Sequence, residues 1–376
     1  MDLKSDIQTR LSAKPFRSRS ATTATSGVNA RVSFRSRLQR LCWWNFMLLV
    51  ALWVFEQFVA EHFRWTTIVT YAPQHLWIFP TLCLLIACGW KRRPKLLAFN
   101  ASVTLLFVVF FLGFNVPLSR WMPQAEAEAT SSTRLRVMTF NIVGGLIGVD
   151  NVAQVVREQK PDVLCLQETM GLTTGRPGAL QQQADPLPAL QALLPKNWFM
   201  ARTHEVTTFS RFPIVSQRVH EMPLATGRAI LETQVNVRGK MLSVFNVHIS
   251  MVELSPAEKQ RDRAMPRVLQ FGGSSTTRQK QIDVLLAATA KVRTPLVVCG
   301  DFNLPPRGTV YRNLSSKLTD SFRVAGWGSG FSFRADMPLM RIDYIWLSDR
   351  VRVLDCQVLN VRASDHRPYV ADVEVR

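Results

Sequence analysis

The sequence predicts an α/β (α+β) domain of many strands preceded by three transmembrane helices. Three observations predict it. Apolar residues make up 47% of the 376-residue chain but are badly unequal along it, with three long apolar runs crowded between positions 41 and 118. From residue 134 onward, short strand-like apolar runs alternate with helical stretches, the pattern of a mixed α/β domain. The stretch 134–376 is long enough to bury a sizeable core of its own. This much apolar side chain excludes a disordered or collagen-like chain.

Residues 1–40 hold nine basic residues against two acids, Asp2 and Asp6, and show no helical or strand period, so they read as a disordered basic tail. The apolar runs cover about 41–60, 72–90 and 96–118. Each is about 20 residues, which at about 1.5 Å per residue spans a hydrocarbon core of roughly 30 Å. They are apolar all round and bounded by Trp and Lys/Arg, as spans are and buried core helices are not. Glu56 and Gln57 fall near the end of the first run and must reach an interface or a neighbouring helix. The basic tail and the connector KRRPK at 91–95 would share one side of the membrane, while Arg64 and Arg120 alone mark the other. The tail is therefore expected to be cytoplasmic, and the domain after the third span periplasmic or extracellular.

Residues 121–133 read as a polar linker. In 134–376, strands are expected at 134–142, 162–168, 230–237, 240–249, 295–303, 342–348 and 369–375, with helices at 152–159 and near 277–291. Six cysteines are scattered without a CxxC pair, which argues against a disulfide framework or zinc site; Cys165 and Cys299 read as core residues inside strands.

Most of these strands end in a polar residue capable of chemistry: Asn141, Glu168, His248, Asp301 followed by Asn303, then Asp343 and the loop Ser364-Asp365-His366-Arg367-Pro368. Taken singly, each suits a turn or a helix cap. Gathered at one rim, they would suit a divalent cation on oxygen ligands, with His and Asp moving protons.

Their order and wording resemble the endonuclease/exonuclease/phosphatase superfamily, which includes pancreatic deoxyribonuclease and the neutral sphingomyelinases. The matching stretches are TFNI (139–142), LQE (166–168), SRFPI (210–214), NVHIS (246–250), TRQKQ (277–281), GDFN (300–303), RIDYIW (341–346) and SDHRP (364–368). The resemblance covers 134–376 and none of the membrane segment. It implies a four-layer sandwich, two packed β-sheets flanked by helices, with the active site at one rim. It also implies that Glu168, Asn141 and Asp365 hold Mg²⁺, with Mn²⁺ as the alternative. By the same carry-over His366 contacts the scissile phosphate and Asp343 orients it, Asp301 activates water, Asn303 binds phosphate, and His248 is the second imidazole. Arg211 lies where the family often has a basic or polar residue near the phosphate, which implies a substrate contact. Some members carry a catalytic Tyr, and none of the four here, at 71, 311, 344 and 369, fills that place.

The implied reaction is in-line attack of water on a phosphate ester. Residues 134–376 hold 31 Lys/Arg against 21 Asp/Glu, which favours a nucleic-acid substrate. Basic domains also bind anionic lipid, so a phospholipid or sphingolipid headgroup is the alternative, and a catalytically inactive membrane-anchored binding protein is the third. No protein partner is predicted. The basic loop 251–276 reads either as a lid or as a solvated surface loop.

Overall fold

The computed structural model describes residues 22–118, 132–170, 185–223, 228–250 and 275–376. The start of the expected tail, nearly all of the linker and nearly all of loop 251–276 lie outside the described residues.

The N-terminal part is helical: α1 (Thr22–Phe58), α2 (Arg64–Tyr71), α3 (Phe79–Trp90) and α4 (Pro94–Phe110). The tail, expected without regular structure, is helical from Thr22. The apolar run downstream supplies a formed helix, and extending one costs far less than nucleating one. Of the three expected spans, one is supported. Among the described residues only Arg37–Phe58 forms a helix long and apolar enough to cross a membrane by length and composition. The second run becomes helical only after Pro73, and a 3₁₀ turn, Gln74–Ile78, leads into α3 with Pro80 in its first turn. That leaves 12 residues in α3, and α4 has 17. At about 1.5 Å per residue these reach only about 18 and 25 Å. Both pack on α1: Asn45 donates to Thr81 Oγ1 at 2.9 Å and Asn100 to Cys42 Sγ at 3.1 Å, while Leu49, Val103 and Phe107 bury together.

The rest of the chain forms two six-stranded mixed sheets. Sheet I contains β1 (Thr133–Asn141), β2 (Val163–Gln167), β3 (Phe199–Arg202), β4 (Val206–Ser210), β11 (Val351–Val358) and β12 (Tyr369–Val375), in the order β11-β12-β1-β2-β4-β3. Sheet II contains β5 (Ile214–Glu221), β6 (Ala229–Val237), β7 (Lys240–His248), β8 (Leu296–Asp301), β9 (Thr319–Asp320) and β10 (Asp343–Leu347), in the order β5-β6-β7-β8-β10-β9. Each sheet has a single parallel pair at its centre, β1–β2 and β7–β8; the other pairings are antiparallel.

Alternation along the strands builds the layers. Val137, Cys165, Val244, Cys299 and Ile345 meet between the sheets. The opposite face of β1, Met138 and Phe140, packs on α5 (Val149–Gln159) and α6 (Pro186–Leu193) through Val152, Val156, Leu187 and Leu190. The outer face of sheet II packs Phe245, Val298 and Trp346 against α7 (Ser275–Thr289) and α8 (Gly308–Ser315) through Ile282, Leu285, Val310 and Leu314. Two packed mixed sheets flanked by helices result. All six cysteines are free, and Cys165 and Cys299 are buried as expected.

The helical part is fastened to this sandwich. Glu61 Oε2 accepts from Thr309 N and Thr309 Oγ1, both at 2.5 Å, and from Val310 N at 3.0 Å. It thereby satisfies the start of α8, whose own cap residue Arg307 contributes no side-chain hydrogen bond. Tyr71 donates to Glu61 Oε1 at 3.0 Å, and the Arg278 guanidinium lies 4.3 Å over the Tyr71 ring. Asn115 pairs by backbone with Gly328, and its side chain donates to the carbonyls of Phe322 and Gly326.

Candidate active site

Parallel neighbours end at the same edge of a sheet, and each sheet brings one such pair to the same rim. Asn141 closes β1 beside Gln167 of β2, and His248 closes β7 beside Asp301 of β8. Asp343, the first residue of β10, lies opposite Asp301. Below the rim a buried amide network ties the sheets together. Gln167 Nε2 donates to Asn246 Oδ1 at 2.8 Å, and Asn246 Nδ2 donates to the carbonyls of Leu166 and Thr207.

The residues that leave the rim are conformationally unusual. Glu168 and Asn303 have φ of +54° and +49°, a left-handed backbone that costs an L-residue about 1–2 kcal/mol. Glu168 is held there by Gly144 N, which donates to its carbonyl at 2.8 Å. Such strain clusters at working sites. Gly300 has a different reason: a Cβ there would come within 1.8 Å of the Val247 carbonyl oxygen, so only glycine lets β8 lie this close to β7 beside Asp301.

Two imidazoles are each gripped through Nδ1 by a buried carboxylate. His366 Nδ1 lies 2.9 Å from Asp343 Oδ2, and His248 Nδ1 lies 3.2 Å from Glu205 Oε2. With Nδ1 so engaged, both Nε2 atoms face one oxygen, Asp301 Oδ2, at 3.7 Å and 3.6 Å. His248 Nε2 is also 3.8 Å from Glu168 Oε1, and His366 Nε2 is 4.0 Å from Asp365 Oδ1. Asn141 Nδ2 bridges Glu168 Oε1 at 3.0 Å and Asp301 Oδ2 at 3.1 Å. The side chains of Glu168 and Asp365 are partly open, 24% and 46% exposed, whereas Asp301 and both imidazoles are buried.

The electrostatics follow from this crowding. Burial raises the Asp301 carboxyl above its ordinary value; the His366 charge opposes this and Asp343 adds to it. Asp365 is raised by burial first, with His366 lowering it and the Glu168 carboxylate raising it. For His366, burial works against the imidazolium, but Asp343 and Asp301 together override it and push the pKa up to about 10.

The structure brings Asn141, Glu168, His248, Asp301, Asn303, Asp343, Asp365 and His366 to one rim. Two of them make contacts within the rim itself. Asn141, expected as a metal ligand, turns its amide nitrogen to the two carboxylates, and its oxygen accepts from Val143 N at 3.1 Å. In this arrangement the Asn141 amide links the two carboxylates at the rim. Asn303 donates to the Ile249 carbonyl and to Asp301 Oδ2. Arg211 is not brought to the site. It follows β4 at the end paired with the start of β2, the opposite end from Glu168, and its guanidinium lies 3.5 Å from Asp162.

Glu205 was missed, because β4, which it precedes, is rich in Thr and Ser and gave no apolar alternation. The four tyrosine hydroxyls are bound elsewhere, to Glu61, Asp320, the carbonyls of Leu304 and Arg341, and Ser321. A further donor set is the buried trio Asp301, Asp343 and His366, whose ligand-type atoms lie within 4.8 Å of one another. The His366–Asp343 hydrogen bond accounts for that closeness.

Among solved structures, the chain is similar to an endonuclease/exonuclease/phosphatase from Beutenbergia cavernae DSM 12333, at 22% identity and TM-score 0.50 over 64% of this chain and 72% of that one. It is also similar to one from Bacteroides vulgatus, at 18% identity and TM-score 0.51 over 65% of this chain and all of that one. At these identities the likeness establishes the fold. A search of curated proteins finds no significant match. The sequence profile of the Endonuclease/Exonuclease/phosphatase family matches residues 138–366, more than half of the chain and the whole of the rim just described, and the chain therefore belongs to that family.

Proposed function

We propose that the chain is a membrane-anchored, Mg²⁺-dependent phosphodiesterase that cleaves nucleic-acid phosphodiester bonds by attack of water. One observation carries the reading: two carboxylate-held imidazoles converge on a buried Asp301, with Glu168 and Asp365 partly open beside them. The site fits a divalent cation by the chemistry of its donors. Glu168, Asp365 and Asp301 crowd negative charge that burial makes costly, and oxygen donors with solvent access suit Mg²⁺ or Mn²⁺. Glu168 and Asp365 would hold the ion, which when bound neutralises charge on phosphate oxygens.

The protein's own groups divide the rest of the work. Asp301, with its raised pKa, accepts the proton of the attacking water. His366, an imidazolium at neutral pH, donates from Nε2 to a phosphate oxygen. His248 presents Nε2 from the other side and protonates the leaving oxygen. Asp343 and Glu205 hold the rings so that both Nε2 atoms point inward. The excess of basic over acidic residues in 134–376 draws a polyanion to this rim. The anchor is the Arg37–Phe58 helix; the nine basic residues of 1–40 on its N-terminal side favour a cytoplasmic N-terminus, and with this single span the reading has the catalytic rim outside the cytoplasm.

A second reading, a lipid phosphodiester substrate, is favoured by one contact chain. His75, beside the helical anchor, packs its ring 5.5 Å from Phe331, and Phe333 packs 4.8 Å from His366. Exposed Leu146 and Ile147 follow Asn141 at the same rim. The full chain in detergent, given Mg²⁺ and either plasmid DNA or sphingomyelin, tests both readings. Nicking of DNA that disappears in EDTA and in His366→Ala supports the first. Choline-phosphate release without nicking transfers the assignment to lipid. Inertness toward both, with no Mg²⁺ binding by calorimetry, refutes the phosphodiesterase reading.

A further inference from the structure

Away from the catalytic rim, the junction between helices and sandwich encloses a cavity of about 320 Å³. Its sandwich wall carries Arg312, Arg323 and Arg341, and no acidic side chain among the described residues lines it. Its helical wall carries Trp53, Gln57 and Phe110. Trp53 and Phe110, packed edge to face with ring centroids 5.7 Å apart, also line a second cavity of about 280 Å³. That second cavity runs between α1 and α4 and is lined only by apolar residues, among them Phe46, Val50, Val103 and Leu106. A cationic chamber and an apolar groove on α1 and α4 thus share Trp53 and Phe110 in their walls, α1 carrying the one helical segment that, among the described residues, reads as a span.

Among the described residues, the charges in the chamber are not all answered. Arg341 makes a two-pronged pair with Asp320, at 3.0 Å and 2.8 Å. Arg312 points its guanidinium at the end of α1, where it donates to the Gln57 carbonyl and lies 4.4 Å from the Phe58 ring centroid. Neither contact supplies a negative charge to Arg312, and Arg323 is exposed. Two guanidiniums in a chamber that shares a wall with an apolar groove suit a ligand with an anionic head and a hydrocarbon tail.

We infer that this paired cavity binds one anionic phospholipid of the surrounding bilayer, its phosphate near Arg312 and Arg323 and an acyl chain along the α1–α4 groove past Trp53 and Phe110. The inference rests on the reading of Arg37–Phe58 as a span. It goes beyond the catalytic assignment, because none of the catalytic-rim residues lines either cavity. The lipid would bridge anchor and enzyme and fix one against the other.

The full chain, reconstituted in nanodiscs of phosphatidylcholine with a minor fraction of phosphatidylglycerol and then released into detergent, is examined by native mass spectrometry. One retained phosphatidylglycerol is expected, preferred over phosphatidylcholine by about tenfold or more, as two basic contacts predict. Arg323→Glu should abolish that preference. Leu106→Trp, at an exposed groove position, should expel the lipid of either headgroup while leaving the protein folded by circular dichroism. Equal retention of both lipids by the unaltered chain, or phosphatidylglycerol retention undiminished in both variants, overturns the inference. Carbonate washing of membranes separates this from failure of the anchor: if alkali strips the full chain, the span reading falls and the lipid site falls with it.

Discussion

The charge state of His366 is the most exposed point of the proposed chemistry. Its ring nitrogen Nδ1 lies 2.9 Å from Asp343 Oδ2. Two unit charges at that distance attract by about 5–6 kcal/mol at an effective dielectric constant of 20, equivalent to about four pKa units. Asp343→Asn removes that attraction and keeps the shape, while the burial that disfavours the imidazolium remains. The pKa should then fall from about 10 to near or below the ordinary 6.5. At pH 8.5 a group with a pKa near 6.5 is only about 1% protonated, so turnover that needs the imidazolium should drop about a hundredfold, with much of it recovered below pH 6. The assay is a pH–rate profile of phosphodiester hydrolysis by the full chain, beside the ¹³C shift of the labelled ring. A variant profile parallel to the parent's, reduced equally at pH 6 and pH 8.5, would refute the imidazolium role. The same linkage acts on folding. A raised folded-state pKa means that the pair's stabilisation is complete below the unfolded value near 6.5 and is lost as pH climbs through about 10.

Other perturbations follow. Glu205→Ala leaves the buried His248 ring without its Nδ1 partner and should cut kcat by about 10²–10³ with little change in KM, a split that steady-state kinetics resolves. Arg211→Ala should leave kcat/KM within about twofold, since its partner is Asp162 at the far end of β2; a tenfold loss would return it to the site. Asn246→Leu strands Gln167 and should cost about 2–4 kcal/mol, visible as a lower melting temperature. Gly300→Ala drives a methyl into the Val247 carbonyl and should abolish folded protein in membranes, whereas Gly239→Ala, with open space around it and only the strain of a left-handed backbone at φ +94°, should lower stability by about 1–2 kcal/mol.

Much of the site was legible because its residues sit at the ends of strongly apolar strands. Asn141, Glu168, His248 and Asp301 each close a run whose period announces a strand, and two parallel pairs then bring them to one edge. Glu205 was illegible for the converse reason: the strand after it, VTTFS, buries hydroxyls inside a polar network, so no hydrophobic pattern points to it. The inward-facing amides of Asn141 and Asn303 could not be read either, because which amide atom faces a carboxylate is settled by neighbours such as Val143 N and the Ile249 carbonyl. The spans were overread. Hydropathy counts apolar residues over a window, but Pro73, Pro80 and Gly113 decide where a helix may begin and end.

The contact of Glu61 with Thr309 and Val310 bears on how this protein is to be handled in the laboratory. The first turn of α8 depends on a carboxylate from outside the sandwich, and an amputated enzyme would meet water with bare amides at that turn. Losing such a cap typically costs about 0.5–2 kcal/mol. Truncation at the family boundary therefore removes part of the enzyme's own scaffold along with its tether, and a recombinant fragment would need an acidic substitute at that turn.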